Sequence, residues 1–247
     1  MLKTSPLALY IKMLFISPPF GNYLRLPNTI PINGSFTYEA RSGLLLQIMN
    51  TLRFSIKHNG WMNKIGLRNK GIDYAIENHR KDEVMSIAIM RENEIPAILQ
   101  KIPDDMNIEL NISCPNVRQG VVSNGIQAFQ NTKREWCIIK LSPLTTTSEI
   151  DEYYRNGFRQ FHCSNTLPIG DKGGLSGPAL VPYTTAIVRK IKSKYPDTIV
   201  IAGGGIRDIH TVNLYKTMGA DHISVSTLCM NPISFGLLYY QLCLYSS

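Results

Sequence analysis

IVIAGGGIRD, residues 199 to 208, reads as a strand that runs into glycines and then into the start of a helix. Ile199 to Ala202 is continuously apolar, as a strand buried on both faces requires. Gly203, Gly204 and Gly205 follow; without Cβ atoms they let backbone N–H groups come close to an anion. Asp208 offers an N-cap for the next helix. HISVSTL, residues 222 to 228, repeats the theme with a short strand and then Ser226 and Thr227. Either loop alone is as consistent with a plain tight turn as with a ligand site. Two in succession match the way parallel barrels hold phosphate, on the loops after the seventh and eighth strands.

Working back towards the N-terminus, the same alternation of apolar runs and amphipathic stretches recurs. Strands are expected at Ile11–Ser17, Pro31–Thr37, Val84–Met90, Ile108–Ser113, Trp136–Leu141, Arg159–Ser164, Thr198–Ala202 and Asp221–Ser226. Helices are expected at Glu92–Lys101, Gly125–Lys133, Ser148–Asn156, Pro182–Lys194 and Asp208–Met218. Eight strands alternating with helices predict an α/β fold, a (β/α)8 TIM barrel occupying residues 1–247 as a single domain; an open doubly wound sheet is the alternative. The barrel makes a test of itself, because polar segments should follow strand C-termini. SCPN, KLSP, CSNT, GGGIRD and SVSTL stand at those places.

The chain has 247 residues, 44% hydrophobic and 18% charged, ordinary for a globular protein with a sizeable core. Its net charge of +8 suits a small acidic ligand better than a nucleic acid, because the basic residues are scattered. The densest run, RKIKSKY (189–195), has helical spacing and reads as a solvated face. Five cysteines, widely spaced and without a CxxC pair, argue for a reducing compartment and against a disulfide framework or a zinc site. Lys12 interrupts the apolar stretch near the N-terminus, so no membrane span is expected there.

Several residues at strand ends have chemistry of their own. GDKGGLSGPAL (170–180) is a third glycine-rich loop, either a turn cluster or a backbone cradle at the same mouth. Lys140 ends WCIIK; it either snorkels to solvent or fixes a positive charge beside an anionic or electron-rich ligand. Asn63, Asn111, Asn116 and Asn165 are singly turn residues, but jointly their amides match a small heterocycle with alternating C=O and N–H groups. Cys114, in LNISCPNV, is inert packing in isolation; shielded by a loop at Val117–Asn124, it is a candidate general base.

Taken together these stretches resemble the dihydroorotate dehydrogenases, FMN-dependent barrels of pyrimidine (UMP) biosynthesis. The resemblance rests on GSFT (34–37), WMNKIGLRNKGI (61–72), ELNISCPNV (109–117), IIKLSP (138–143), SNT (164–166), GGLSGPAL (173–180), IAGGGI (201–206) and SVSTL (224–228). It implies a cytoplasmic flavoprotein that oxidises (S)-dihydroorotate to orotate, acting on a CH–CH group. FMN would place its phosphate on Gly177, Gly204, Gly205, Ser226 and Thr227, with Ser35 and Lys140 near the flavin ring. Asn63, Ile65, Gly66 and Leu67 would form one wall of the substrate pocket. Asn111, Asn116, Asn165 and Thr166 would hold the pyrimidine ring and its carboxylate. Cys114 would take the proton from C5 while a hydride leaves C6 for the flavin; a cysteine at this place is similar to the class without an N-terminal membrane helix. A homodimer is expected, with neither nucleic acid nor membrane as partner. Fumarate, a partner flavoprotein with an iron–sulfur cluster, and oxygen are the acceptors compatible with it.

The chain departs from the family pattern in places. SPPFGNYLRLPN (17–28) is too short for a full first barrel helix, so a shortened first βα unit is expected. Gly34 stands where a lysine is usual before Ser35, and Lys64 or Arg68 from the next loop would have to substitute. The Cys163–Ser164 approach to the sixth strand end differs in detail, and the helix after Asn231 looks clipped. Two further readings follow: a related flavin barrel acting on another dihydropyrimidine or a dihydrouridine, and a degenerate barrel that binds FMN without turnover.

Overall fold

The structure, a computed structural model, describes residues 13–112 and 124–245. From the N-terminal side come β1 (Leu14–Ile16), β2 (Thr29–Phe36), α1 (Leu44–Thr51), β3 (Arg53–Ser55), β4 (Gly60–Asn63), α2 (Gly71–Glu77), β5 (Val84–Ile87), α3 (Ile95–Lys101) and β6 (Ile108–Leu110). Then follow β7 (Cys137–Leu141), α4 (Thr147–Arg155), β8 (Gln160–Cys163), β9 (Leu167–Pro168), β10 (Gly174–Ser176), α5 (Val181–Lys194), β11 (Ile199–Gly203), α6 (Ile209–Thr217), β12 (His222–Val225) and α7 (Pro232–Tyr245). Strands β1, β2, β5, β6, β7, β8, β11 and β12 pair in parallel and close into a barrel, with β12 against β1. This is the expected TIM barrel, and each of its strands lies where an apolar run was read.

Period-two alternation sorts the barrel's interior into layers. The lower layer is apolar: Phe15, Ile32, Val84, Trp136, Ile138 and Ile201 form one buried cluster. Phe15, Trp136 and His222 meet there edge to face, the first two with ring centroids 5.2 Å apart. Two residues further along each strand the same face turns polar or loses its side chain: Ser17, Gly34, Ser86, Lys140, Gly203 and Ser224. Glu109 of β6 and His162 of β8 complete this upper layer. The opposite parity of the strands faces outward onto the helices, where Ile72, Ile98, Ile150, Val188, Ile191, Val212 and Tyr215 are buried.

Between β1 and β2 there is only one 3-10 turn, Phe20–Asn22, so the first βα unit is as short as expected. Polar contacts do part of the missing helix's work. Arg25 pairs with Glu83 at 2.6 Å, and Asn33 on the outer side of β2 donates to the same carboxylate at 3.2 Å. Helix α4 starts as expected, with a capping box: the Glu149 N–H donates to Thr146 Oγ1 and the Thr146 N–H to Glu149 Oε2.

The helix expected at Gly125–Lys133 is instead a single 3-10 turn, Ile126–Phe129. Gly125 enters it in the left-handed region and Gln130 leaves it extended. Asn131 then caps a turn by accepting from the Lys133 and Arg134 N–H groups, which stops any continuation. The helix expected from Glu92 begins as a 3-10 turn and becomes α-helical at Ile95, because Pro96 fits only a first turn. After Asn231 the chain forms the 14-residue helix α7. A second sheet was not foreseen: β3, β4, β10 and β9 pair antiparallel, bringing the 53–63 hairpin against the glycine-rich loop after β8. Among the described residues no helix is long and apolar enough to cross a membrane.

Candidate active site

The C-terminal mouth of the barrel opens into a cavity of about 860 Å³, within the range of small-molecule and cofactor sites. It is reached by the ends of β2, β6, β7, β8, β11 and β12, together with the 63–70 loop that follows β4. Three groups of residues converge on it. Gly204, Gly205, Ser226 and Thr227 lie on its wall at the last two strand ends. Ser35, Asn111, Lys140, Asn165 and Thr166 lie at the middle strand ends. Asn63, Ile65, Gly66 and Leu67 form the wall contributed by the loop. Gly177 is not on the wall but stands behind it: a Cβ on Gly205 would lie 2.9 Å from the Gly177 carbonyl oxygen and 2.7 Å from Val181 Cγ2. Glycine is therefore required where these loops meet. Ser226 donates its hydroxyl to the Pro18 carbonyl at 2.8 Å, so that proton is already committed. Cys114 and Asn116, and most of the loop expected at Val117–Asn124, lie outside the described residues.

The floor of the cavity is organised by a buried charge that the strand patterns did not reveal. Glu109 has no solvent exposure; its carboxylate accepts from Ser86 Oγ at 2.8 Å, Lys140 Nζ at 3.1 Å and His162 Nδ1 at 2.6 Å. Burial alone would raise its pKa, but the Lys140 ammonium, His162 and these hydrogen bonds together lower it to about 2. Glu109 is therefore ionised at neutral pH. Burial pushes the His162 imidazole's pKa down despite the carboxylate, so the ring is neutral and donates Nδ1–H to Glu109.

An ionised carboxylate only accepts, and this sets the direction of every bond upstream. Ser86 donates to Glu109, so in the 2.8 Å Ser35–Ser86 contact it is Ser35 that donates. Ser35 in turn accepts from Asn111 Nδ2 at 3.0 Å, and Asn111 Oδ1 accepts from Asn165 Nδ2 at 3.0 Å. The Thr166 N–H closes the row on Asn165 Oδ1 at 2.9 Å. The structure thus brings Ser35, Asn111, Lys140, Asn165 and Thr166 into one network. Asn63 reaches the cavity from the opposite wall.

Three residues of this network, Ser86, Glu109 and His162, were missed in the sequence. The available signal was spacing: Glu109 lies two residues before Asn111 in IELNI, and His162 two before Ser164 in QFHCSN, so each shares a strand face with a residue at the mouth. Cys137, Cys163 and Cys229 offer no substitute base. Burial pushes the Cys137 and Cys229 thiols up to about 12 and Cys163 higher still.

Gly34 faces the cavity from β2 and carries no cation there. Its φ is +129°, and a Cβ would lie 2.6 Å from the Ser86 carbonyl oxygen, so the backbone itself excludes a lysine at this place. Its N–H donates to Asn22 Oδ1 of the short β1–β2 connection.

A parallel barrel with a glycine-, serine- and threonine-lined wall, convergent amides and a paired lysine at its C-terminal mouth defines a barrel enzyme with a cofactor-sized site. The chain belongs to the dihydroorotate dehydrogenase family, whose members are flavin-dependent oxidoreductases: the family pattern matches residues 34–231. It is 30% identical over 224 residues to the dihydroorotate dehydrogenase B (NAD(+)) catalytic subunit of Staphylococcus carnosus, covering 77% of this chain and 72% of that one. It is 32% identical over 208 residues to the Bacteroides fragilis protein of the same name, covering 68% and 67%. In three dimensions it is similar to ligand-free dihydroorotate dehydrogenase from Eimeria tenella, with a TM-score of 0.71 at 17% identity, over 95% of this chain and 86% of that one.

Proposed function

We propose that this chain oxidises (S)-dihydroorotate to orotate with FMN as its bound flavin. The observation that carries the reading is the joining of Ser35, Asn111, Asn165 and Lys140 in one network beside a wall of glycine, serine and threonine. FMN, when bound, supplies the acceptor for a hydride. The backbone of Gly204, Gly205, Ser226 and Thr227, backed by Gly177, fits its phosphate; the wall is free of side chains at both glycines and the cavity is large enough. Lys140, held by Glu109, sets a positive charge at the floor where an electron-rich ring edge would lie. The amides of Asn63, Asn111 and Asn165 hold the pyrimidine's C=O and N–H groups, with Ile65, Gly66 and Leu67 as the facing wall. Asn116 belongs to the same proposed set. Cys114, as the base, takes the proton from C5; the C6–H bond gives up its hydride, and C5 and C6 are left doubly bonded.

The relatives are named as NAD(+) enzymes and as catalytic subunits. By analogy we assign NAD+ as the final acceptor, reached through a separate subunit. The same proposal includes a homodimer and a cytoplasmic setting.

The test is anaerobic mixing of FMN-loaded protein with dihydroorotate. Bleaching of the flavin's visible absorption and release of orotate are expected. Protein that stays colourless after incubation with FMN overturns the proposal, as does bleaching by dihydrouracil alone. Gly34, which leaves β2 without a cation, favours one second reading: a barrel that binds flavin without turnover. Tight FMN binding with no reduction by any dihydropyrimidine would select it.

A further inference from the structure

We propose that Arg68 is the residue that selects a carboxylate-bearing substrate, standing in for the side chain that Gly34 cannot carry; this rests on the reading of the site as one for dihydroorotate. Five cations line the cavity among the described residues: Arg25, Arg68, Lys70, Arg80 and Lys140. Four are otherwise engaged. Arg25 is bound to Glu83 at 2.6 Å and Lys140 to Glu109 at 3.1 Å. Lys70 is exposed, with its ammonium 4.2 Å from the centre of the Tyr74 ring. Arg80 is 65% exposed and lies 3.8 Å from Asp82.

Arg68 differs. Among the described residues no carboxylate forms an ion pair with it, and its one acceptor there is the Ser42 carbonyl, at 3.2 Å from Nη1. Among the described residues its Nε–H is buried without a partner, as is that of Arg25, so what separates the two is the acidic partner that Arg25 has and Arg68 does not. The guanidinium fork matches a carboxylate, and a guanidinium on the cavity wall without an acidic partner is suited to bind one. Lys64, the other candidate in the sequence, is exposed and with Arg41 lines a neighbouring pocket of about 420 Å³ but not the cavity; Arg68 lines both. Lys64 and Arg41 strengthen the positive potential around the loop without reaching the cavity.

The loop presents Arg68 in a fixed place. Asn69 accepts from the Thr37 and Gly71 N–H groups at 3.1 and 2.8 Å and donates to Thr37 Oγ1 and the Leu67 carbonyl at 2.9 and 2.7 Å. Arg41 and Asn69 exchange both backbone hydrogen bonds. Immediately before Arg68, Gly66 and Leu67 have φ of 70° and 55°, which turns the chain along the cavity wall. A cation on so constrained a loop loses little freedom when it binds an anion.

The test compares wild type, Arg68→Gln and Arg68→Lys, each loaded with FMN, on dihydroorotate and on its uncharged methyl ester, and measures orotate binding by calorimetry. Loss of a charge-assisted hydrogen bond predicts that Arg68→Gln raises KM for dihydroorotate and Kd for orotate by about 10- to 150-fold. The kcat stays near wild type, the ester is handled unchanged, and Arg68→Lys recovers part of the loss. Unaltered orotate affinity in Arg68→Gln, or equal losses on acid and ester, overturns the assignment. A wild-type protein that neither binds orotate nor is reduced by dihydroorotate overturns the functional reading itself, and the role of Arg68 with it.

Discussion

Glu109→Gln removes one charge from the barrel floor and almost no volume. In the wild type the carboxylate is fully buried and accepts from Ser86, Lys140 and His162. In the variant the amide oxygen still accepts from Ser86 and Lys140, and His162 can change tautomer to accept from the new N–H. What is lost is the counter-charge of Lys140, whose side chain is only 10% exposed. Breaking a buried pair from one side costs about 3–5 kcal/mol. The carboxyl's own titration agrees: a pKa lowered from 4.5 to about 2 corresponds to about 3 kcal/mol of folding stability at neutral pH. For a chain of this size that is a fall in Tm of about 6–20 °C.

The pH dependence has a definite sign. The folded-state pKa lies below the unfolded one, so Glu109's contribution is complete above about pH 4.5 and is lost as pH falls towards 2. Urea titrations of both proteins at pH 7, and down to the lowest pH at which they stay folded, measure it. The gap between wild type and variant should be widest at pH 7 and narrow as the medium becomes acid. A variant with wild-type stability at pH 7, or a gap that does not change with pH, would refute an ionised Glu109.

Three other outcomes follow from the geometry. Gly34→Ala should destabilise the protein by about 1–3 kcal/mol in denaturant titration, because its φ is +129° and the new methyl would meet the Ser86 carbonyl; Gly34→Lys should be no better, which would show that the family lysine cannot simply be restored. Thr146→Ala removes the capping box of α4 and should cost about 0.5–2 kcal/mol in the same assay, without changing flavin binding. Asn111→Ala breaks the row between Asn165 and Ser35, and under the proposed function it should weaken orotate binding about tenfold or more while folding is retained.

The barrel was legible because buried parallel strands must be apolar almost throughout, and runs such as Trp136–Leu141 and Thr198–Ala202 have no other economical place. Helix α4 was legible because Thr146 and Glu149 announce its first turn. The antiparallel sheet was not, although Asn59-Gly60 in HNGW is a hairpin signal. Its strands have three, four, two and three residues, and their partners lie on opposite sides of the barrel's central segments. The polar floor was harder still. Glu109 is one acidic residue in an apolar strand, and the residues that explain it, Lys140 and His162, are 31 and 53 positions away. Only closure of the barrel sets them side by side. The glycine loops, Asn111 and Lys140 were readable as a group because each ends a strand, and strand ends of one barrel share one mouth; Ser35 came only from the family resemblance.

One ionised carboxylate beneath the cavity also acts as a template for whatever sits above it. With its proton committed to Ser86, Ser35 has none to offer upward. Asn111 gives one N–H to Ser35 and one oxygen lone pair to Asn165, and Asn165 gives one N–H to Asn111 and one lone pair to Thr166, so which way round each amide stands is fixed by the row. Glu109, with no exposure of its own, thus sets the orientation of amides at the mouth through two serine hydroxyls.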